Sequence, residues 1–194
     1  MSENKNFLKR ISDAETLEQT AWIVTDQLLS KLPELREPVL AVAVPHWFNQ
    51  DILRALLPDN DHEVGPLYEK LLRLSFVETH GATQGYRLHE LTRKAIIGHL
   101  ETEEPNRYKT LSQRAKQYFE TLHADNEQIE AVYHAFNVDE SDAVEKMVNL
   151  FWDLDYREEI TAMSLLVGYV GEHKNRLSHL SNLWWRYLSL RVLI

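Results

Sequence analysis

Residues 75–96 read "SFVETHGATQGYRLHELTRKAI", and the hydrophobic period changes within them. "SFVETH" and "GYRLH" have the pattern of two short strands, separated by "GATQG", whose two glycines accept turn conformations that other residues resist. From Glu90 onward the pattern turns helical. A β-hairpin that runs straight into a helix is therefore expected, with His89 at the seam.

Upstream, Ser12 and Glu15 have the spacing of a capping box, which predicts a helix that starts there and ends at Pro33. Ala14, Leu17, Ala21, Val24 and Leu28 recur at spacings of three and four and would form its apolar face. "EPVLAVAV" (37–44) is apolar all round, so its period does not separate a buried helix from a buried strand; Pro45 stops it. Asn49 can cap a short helix "QDILRALLP" that Pro58 closes. After the polar turn 59–65, Pro66 suits the first turn of a helix whose Leu67, Leu71, Leu72 and Leu74 face a core. Three short helices leading into a hairpin is the order of a winged-helix domain. The expected organisation is an N-terminal helical segment over 1–35 and a winged-helix domain over 36–103.

Downstream, 104–194 reads as purely helical. The charge run "ETEEPN" (101–106) is expected to be a solvated connection. Leu111, Ala115, Tyr118, Phe119 and Leu122 form one apolar face, and 126–154 offers two helices broken at "NVDES", where Asp139 or Ser141 can cap the second. Ala131 and Ala135 sit at close-packing positions, so this pair looks like one unit of a helical-repeat (TPR-like) hairpin array with a period near 34 residues. The last stretch, "KNRLSHLSNLWWRYLSLRVLI" (174–194), is apolar on more than one face. It is expected to pack into a partner, to self-associate, or to be covered by a further repeat, and the chain is expected to be a piece of something longer. Adjacent side chains on a helix diverge by roughly 100°, so one of Trp184 and Trp185 should enter the core while the other is available to a neighbour. Trp184, Trp185 and Tyr187 are the candidate interaction residues.

Composition removes whole classes of chemistry. The 194 residues contain no cysteine, which excludes disulfides, thiolate zinc sites and cysteine nucleophiles. No run of 18 apolar residues occurs and the first residues are polar and charged, so neither a membrane-spanning helix nor an ordinary signal peptide is expected, and a cytoplasmic location fits. The formal charge of −9 is unevenly spread: −4 over 1–61, +1 over 62–100, −9 over 101–160 and +3 over 161–194. There is neither a G-x-x-x-x-G-K-[ST] loop nor a G-x-G-x-x-G pattern. "HELTR" begins like a zinc-protease H-E-x-x-H but has Arg93 where the second histidine ligand would stand. The nine histidines (46, 62, 80, 89, 99, 123, 134, 173 and 179) are scattered, and no nucleophile–base–orienter set can be named. The expectation is a non-enzyme with no metal.

The stretches "LPELREPVLAVAVPHWFNQDILRALL" and "LLRLSFVETHGATQGYRLHELTRKAI" resemble the winged-helix part of STAND signal-transduction NTPases, the class that includes NB-ARC proteins, over roughly residues 30–100. "RYKTLSQRAKQYFETL" and "IEAVYHAFNVDESDAVEKM" are similar to the helical-repeat sensor region that follows in bacterial members. The resemblance implies that His89, flanked by Leu88 and by Glu90 where the family usually has Asp, is the histidine of the "LHD" or "MHD" motif, which contacts the phosphate of bound ADP and holds the switch off. It further implies a non-catalytic regulatory and protein-interaction module. Its partner would be another protein or its own nucleotide-binding domain, and ADP or ATP would bind only where that domain is present. The competing reading is a DNA-binding winged-helix transcription regulator that inserts "PLYEKLLRLS" into a major groove. Lys70 and Arg73 share that helix with Glu69 and the wing has no Lys or Arg, so nucleic acid fits poorly.

Overall fold

The computed structural model describes residues 2–81 and 85–193, apart from the side chains of 2–4 and 60–62. Residues 82–84 of the expected wing, Ile194 of the expected apolar terminus and the side chain of His62 lie outside the described residues. The described chain is mainly helical, with eleven α-helices and one two-stranded antiparallel sheet, and it divides into two units, Met1–Leu111 and Ser112–Ile194. The division falls inside a helix, eight residues beyond the boundary expected at 103/104.

The first unit begins with α1 (Ser2–Ser12) and α2 (Leu17–Leu29). Here the expected capping box is displaced. Ser12 ends α1, and the cap of α2 is Thr16, whose Oγ1 accepts the Gln19 amide at 3.1 Å while Gln19 Oε1 accepts the Thr16 amide at 3.3 Å. The expected apolar face is displaced with it: Leu17 and Val24 are 72% and 49% exposed, and the buried positions are Ile23, Thr25 and Leu29. The reason is what lies alongside. α2 makes its most extensive packing on α6 (Glu90–Glu103), where Trp22 stacks on His99 with ring centroids 3.8 Å apart.

"EPVLAVAV" resolves as helix. Its residues 37–42 form the second half of α3 (Pro33–Val42), which Pro33 starts at N1 and which runs through Pro38, while Ala43 and Val44 lie just past its end. An interior proline removes one hydrogen bond and costs about 3 kcal/mol. Here Leu35, Pro38, Val39, Leu40, Ala41 and Val42 are all buried, so the apolar burial of that run offsets it. Asn49 caps α4 (Gln50–Leu56), its Oδ1 accepting the Ile52 amide at 2.8 Å. A 3₁₀ turn (Pro58–Glu63) leads into α5 (Val64–Leu71), whose Leu67 and Leu71 are buried.

The expected hairpin is present. β1 (Val77–His80) and β2 (Gly85–Leu88) pair antiparallel with Val77 opposite Leu88, Glu78 opposite Arg87, Thr79 opposite Tyr86 and His80 opposite Gly85. A third segment joins it: Phe48 and Tyr86 exchange both backbone hydrogen bonds, at 2.7 and 2.8 Å. The rings of Phe48, Tyr68 and Tyr86 lie within 6.4 Å of one another, which ties the hairpin to the loop before α4 and to α5. The charge run is not a linker. α6 reaches Glu103 and α7 (Pro105–Phe119) begins two residues later, with Glu104 between them accepting from Arg107 at 2.7 Å.

The second unit, which takes the end of α7, contains α8 (Asp125–Ala135), α9 (Glu140–Tyr156), α10 (Ile160–Gly171) and α11 (His179–Val192). Asp139 caps α9, accepting the Ser141 and Asp142 amides at 2.9 and 3.2 Å. α10 carries no expectation from the sequence. The contacts recur along the chain: α8 packs on α9 and α10, and α10 on α9 and α11. Glu140 accepts the Ser178 amide at the start of α9 and α11, and Arg191 donates to Asp155 near their ends, separations of 38 and 36 residues. α9 and α11 therefore run parallel, side by side. The core shared by α8 to α11 consists of Ile129, Val132, Met147, Phe151, Leu154, Ala162, Met163, Leu166, Val170 and Leu188.

Candidate functional site

Two places gather the residues that the sequence singles out, one in each unit. In the first, β2 ends at Leu88, which is buried and fixes the strand edge; the next residue, His89, is the N-cap of α6. Its amide donates to Phe76 O at 2.8 Å, which locks the backbone at the seam. Its φ of −51° and ψ of 135° keep it out of the helix, and its side chain makes no capping bond. The imidazole, 52% exposed, stands over the sheet with Nε2 3.3 Å from Glu78 Oε2, while Glu78 Oε1 accepts Arg87 Nε at 2.8 Å. Glu78 thus links its cross-strand neighbour Arg87 to His89. A protonated imidazole would donate to Glu78, and the exposed ring can equally meet an acceptor brought by a neighbour.

Four residues on, Arg93 is only 3% exposed and donates to the carbonyls of Pro45 (Nε, 3.4 Å) and Val44 (Nη2, 3.5 Å), just past the end of α3. The position that spoils the zinc motif is thus a buried strut between α6 and the chain before α4. A guanidinium suits this place because it offers five donors in a fixed fork.

In the second unit, Trp184 and Trp185 diverge. The Trp185 indole Nε1 donates to Val167 O at 3.0 Å, and its ring lies against Gly171, where an added Cβ would come within 3.3 Å of Cζ2. Trp184 instead lines a shallow apolar groove of about 420 Å³ together with Trp152, Leu180, Leu183 and Tyr187. The Tyr187 ring is 6.1 Å from Trp184 and 6.5 Å from Trp152. Arg191 sits 5.7 Å above the Trp152 ring and donates to Asp155 at 3.1 Å. Trp152 is the residue that sequence reading missed. The signal was the pair Phe151–Trp152, which poses the same question as Trp184–Trp185; Phe151 is fully buried and Trp152 is 39% exposed.

The second unit also holds a buried polar set. Glu130, His134 and His173 are at most 2% exposed. His134 Nε2 lies 3.4 Å from Glu130 Oε2, His173 Nε2 3.1 Å from Tyr133 O, and Arg176 Nη2 2.6 Å from His173 Nδ1. A guanidinium only donates and a carbonyl only accepts, so His173 is the neutral tautomer with its proton on Nε2. Burial, with the adjacent Arg176 charge, pushes its pKa down to about 3.

Among the described residues, no group of three or more His, Asp and Glu is placed to hold a metal, and no helix is long and apolar enough to cross a membrane. No protein-family model, curated protein or solved structure matches this chain.

Proposed function

We propose that this chain is a non-catalytic regulatory and protein-interaction module, the winged-helix and helical-repeat (TPR-like) sensor part of a STAND-type signalling ATPase that acts in the cytoplasm. The observation that carries the reading is the seam at His89: α3, α4, α5, a hairpin bridged by Phe48, and then an exposed imidazole at the first turn of α6. In this reading ADP and ATP belong to a nucleotide-binding domain elsewhere in the parent protein. His89 donates to an ADP phosphate there, and exchange or release of the nucleotide frees the first unit to repack. The mechanism is a shift between two states that differ in what His89 contacts. The parallel α9–α11 pair and the packing of α8 on α10 support the repeat part, because such stacking buries a face that one hairpin cannot bury alone.

The test uses the longer protein encoded around this segment. His89→Ala there is expected to speed release of a fluorescent ADP analogue by about tenfold or more, the worth of one charge-assisted hydrogen bond. A reading frame without a phosphate loop, or an unchanged release rate, overturns the proposal.

A further inference from the structure

We infer that Glu78 is the acceptor that takes His89 once a phosphate has left it, so that the released state of the switch has a contact of its own, built into the hairpin. This rests on the reading of His89 as the group that donates to an ADP phosphate, and it adds the regulation of that same site.

A two-state switch needs a distinct set of contacts in each state, and a phosphate contact defines only one of them. The hairpin offers the other. Glu78 Oε2 lies 3.3 Å from His89 Nε2. An ionised carboxylate only accepts, so Nε2 carries the hydrogen at this contact. Nε2 has one hydrogen to give, and a carboxylate oxygen and a phosphate oxygen are the same kind of acceptor for it. It is also the ring nitrogen farther from the backbone, and so the one that meets a neighbour first. A phosphate that takes this hydrogen displaces Glu78, and Glu78 recovers it when the phosphate leaves.

The fold places the carboxylate without help from the imidazole. Glu78 and Arg87 stand directly opposite in the antiparallel pairing, so both side chains leave the same face, and Glu78 Oε1 accepts Arg87 Nε at 2.8 Å. His89 follows two residues after Arg87 and therefore returns to that face. Its amide bond to Phe76 O, 2.8 Å long, carries the strand pairing one step past Leu88 and keeps the ring within reach. Because each carboxylate oxygen serves a different donor, Glu78 can lose His89 and keep Arg87. The neighbouring carboxylate, Glu90, is engaged by Lys94 at 3.0 Å. The side chains of His89 and Glu78 are 52% and 38% exposed, so an acceptor from outside can reach the contact. An exposed pair of this kind changes an equilibrium by only about two- to fivefold, weak enough to be broken in every cycle.

Release of the fluorescent ADP analogue from the longer protein tests this in a cycle of four forms: the parent, His89→Ala, Glu78→Ala and the double variant. Glu78→Ala is expected to slow release by about two- to fivefold, the opposite of His89→Ala, and the double variant to release like His89→Ala alone. Removing a negative charge near a phosphate slows release in any background, so slowing that persists without His89 overturns the proposal. A Glu78→Ala rate equal to or faster than that of the parent does the same. The 194-residue chain provides a second measurement: Glu78→Gln is expected to move the imidazole nitrogen resonances of His89 while the circular-dichroism melt stays unchanged, and unmoved resonances sink the contact. If His89→Ala speeds release and Glu78→Ala does not slow it, only the released-state contact has failed. If His89→Ala leaves release unchanged, the nucleotide reading has failed and takes this inference with it.

Discussion

His173 and His89 are the same residue type with opposite fates, and neighbours decide which. The ring of His89 is half in water beside a carboxylate, whereas that of His173 is enclosed between Tyr133 O and Arg176. Folding holds His173 neutral with a pKa of about 3, against 6.5 for an unconstrained imidazole. The unfolded chain therefore binds more protons than the folded one between those values. The stability that His173 contributes is complete above pH 6.5 and is lost as the pH falls towards about 3, with a slope of at most about 1.4 kcal/mol per pH unit. Urea unfolding at pH 7.5 and pH 5 measures it. His173→Gln, whose amide can donate to Tyr133 O and accept from Arg176, is expected to show a smaller loss between the two pH values than the parent chain. An equal loss would assign the pH dependence to other groups. Arg176 is only three residues along the chain from His173, but the Tyr133 carbonyl and the burial that hold the ring neutral reach it only through the packing of α8 on α10.

The elements differ in how far local sequence governs them. The hairpin is local: its strands are four residues apart in the chain and the change of hydrophobic period marks both ends. α2 is not. Its start shifted from Ser12 to Thr16, because Gln19 completes that cap, and its buried face follows α6, to which no local pattern refers. α10 went unread because "ITAMSLLVGYVG" is apolar almost all round and has two weak helix formers, Gly168 and Gly171, so no period stands out. It is helix because α8, α9 and α11 all pack on it. α11 gives the element-scale prediction. Trp185→Ala removes an inward ring and its hydrogen bond to the Val167 carbonyl, and is expected to cost about 3 kcal/mol or more. Trp184→Ala opens a groove that is already accessible to water and should cost less than half of that. Chemical denaturation of the two variants compares them, and equal losses would mean that Trp184 is as structural as its neighbour.

At the scale of the whole molecule, each unit has a core of its own, and neither contains a phosphate-loop sequence. A chain that does not bind a ligand gains no stability from it. Saturating ADP or Mg–ATP is therefore expected to leave the thermal midpoint of the 194-residue chain unchanged, and a rise of more than about 2 °C would reveal a nucleotide site within it. Legible in the residues alone were the mainly helical class, the hairpin, the cap at Asn49, a cap for α9 at either Asp139 or Ser141, and the exclusion of cysteine chemistry. Each of these depends on residue type and on neighbours within a turn or two of chain. Only the tertiary structure decided which side of α2 and which tryptophan of α11 is buried, that Pro38 lies inside a helix, and that Trp152 shares a groove with Leu183. Those outcomes depend on which distant surfaces meet, and burial of apolar area across such contacts outweighs local preferences worth about 1 kcal/mol per residue.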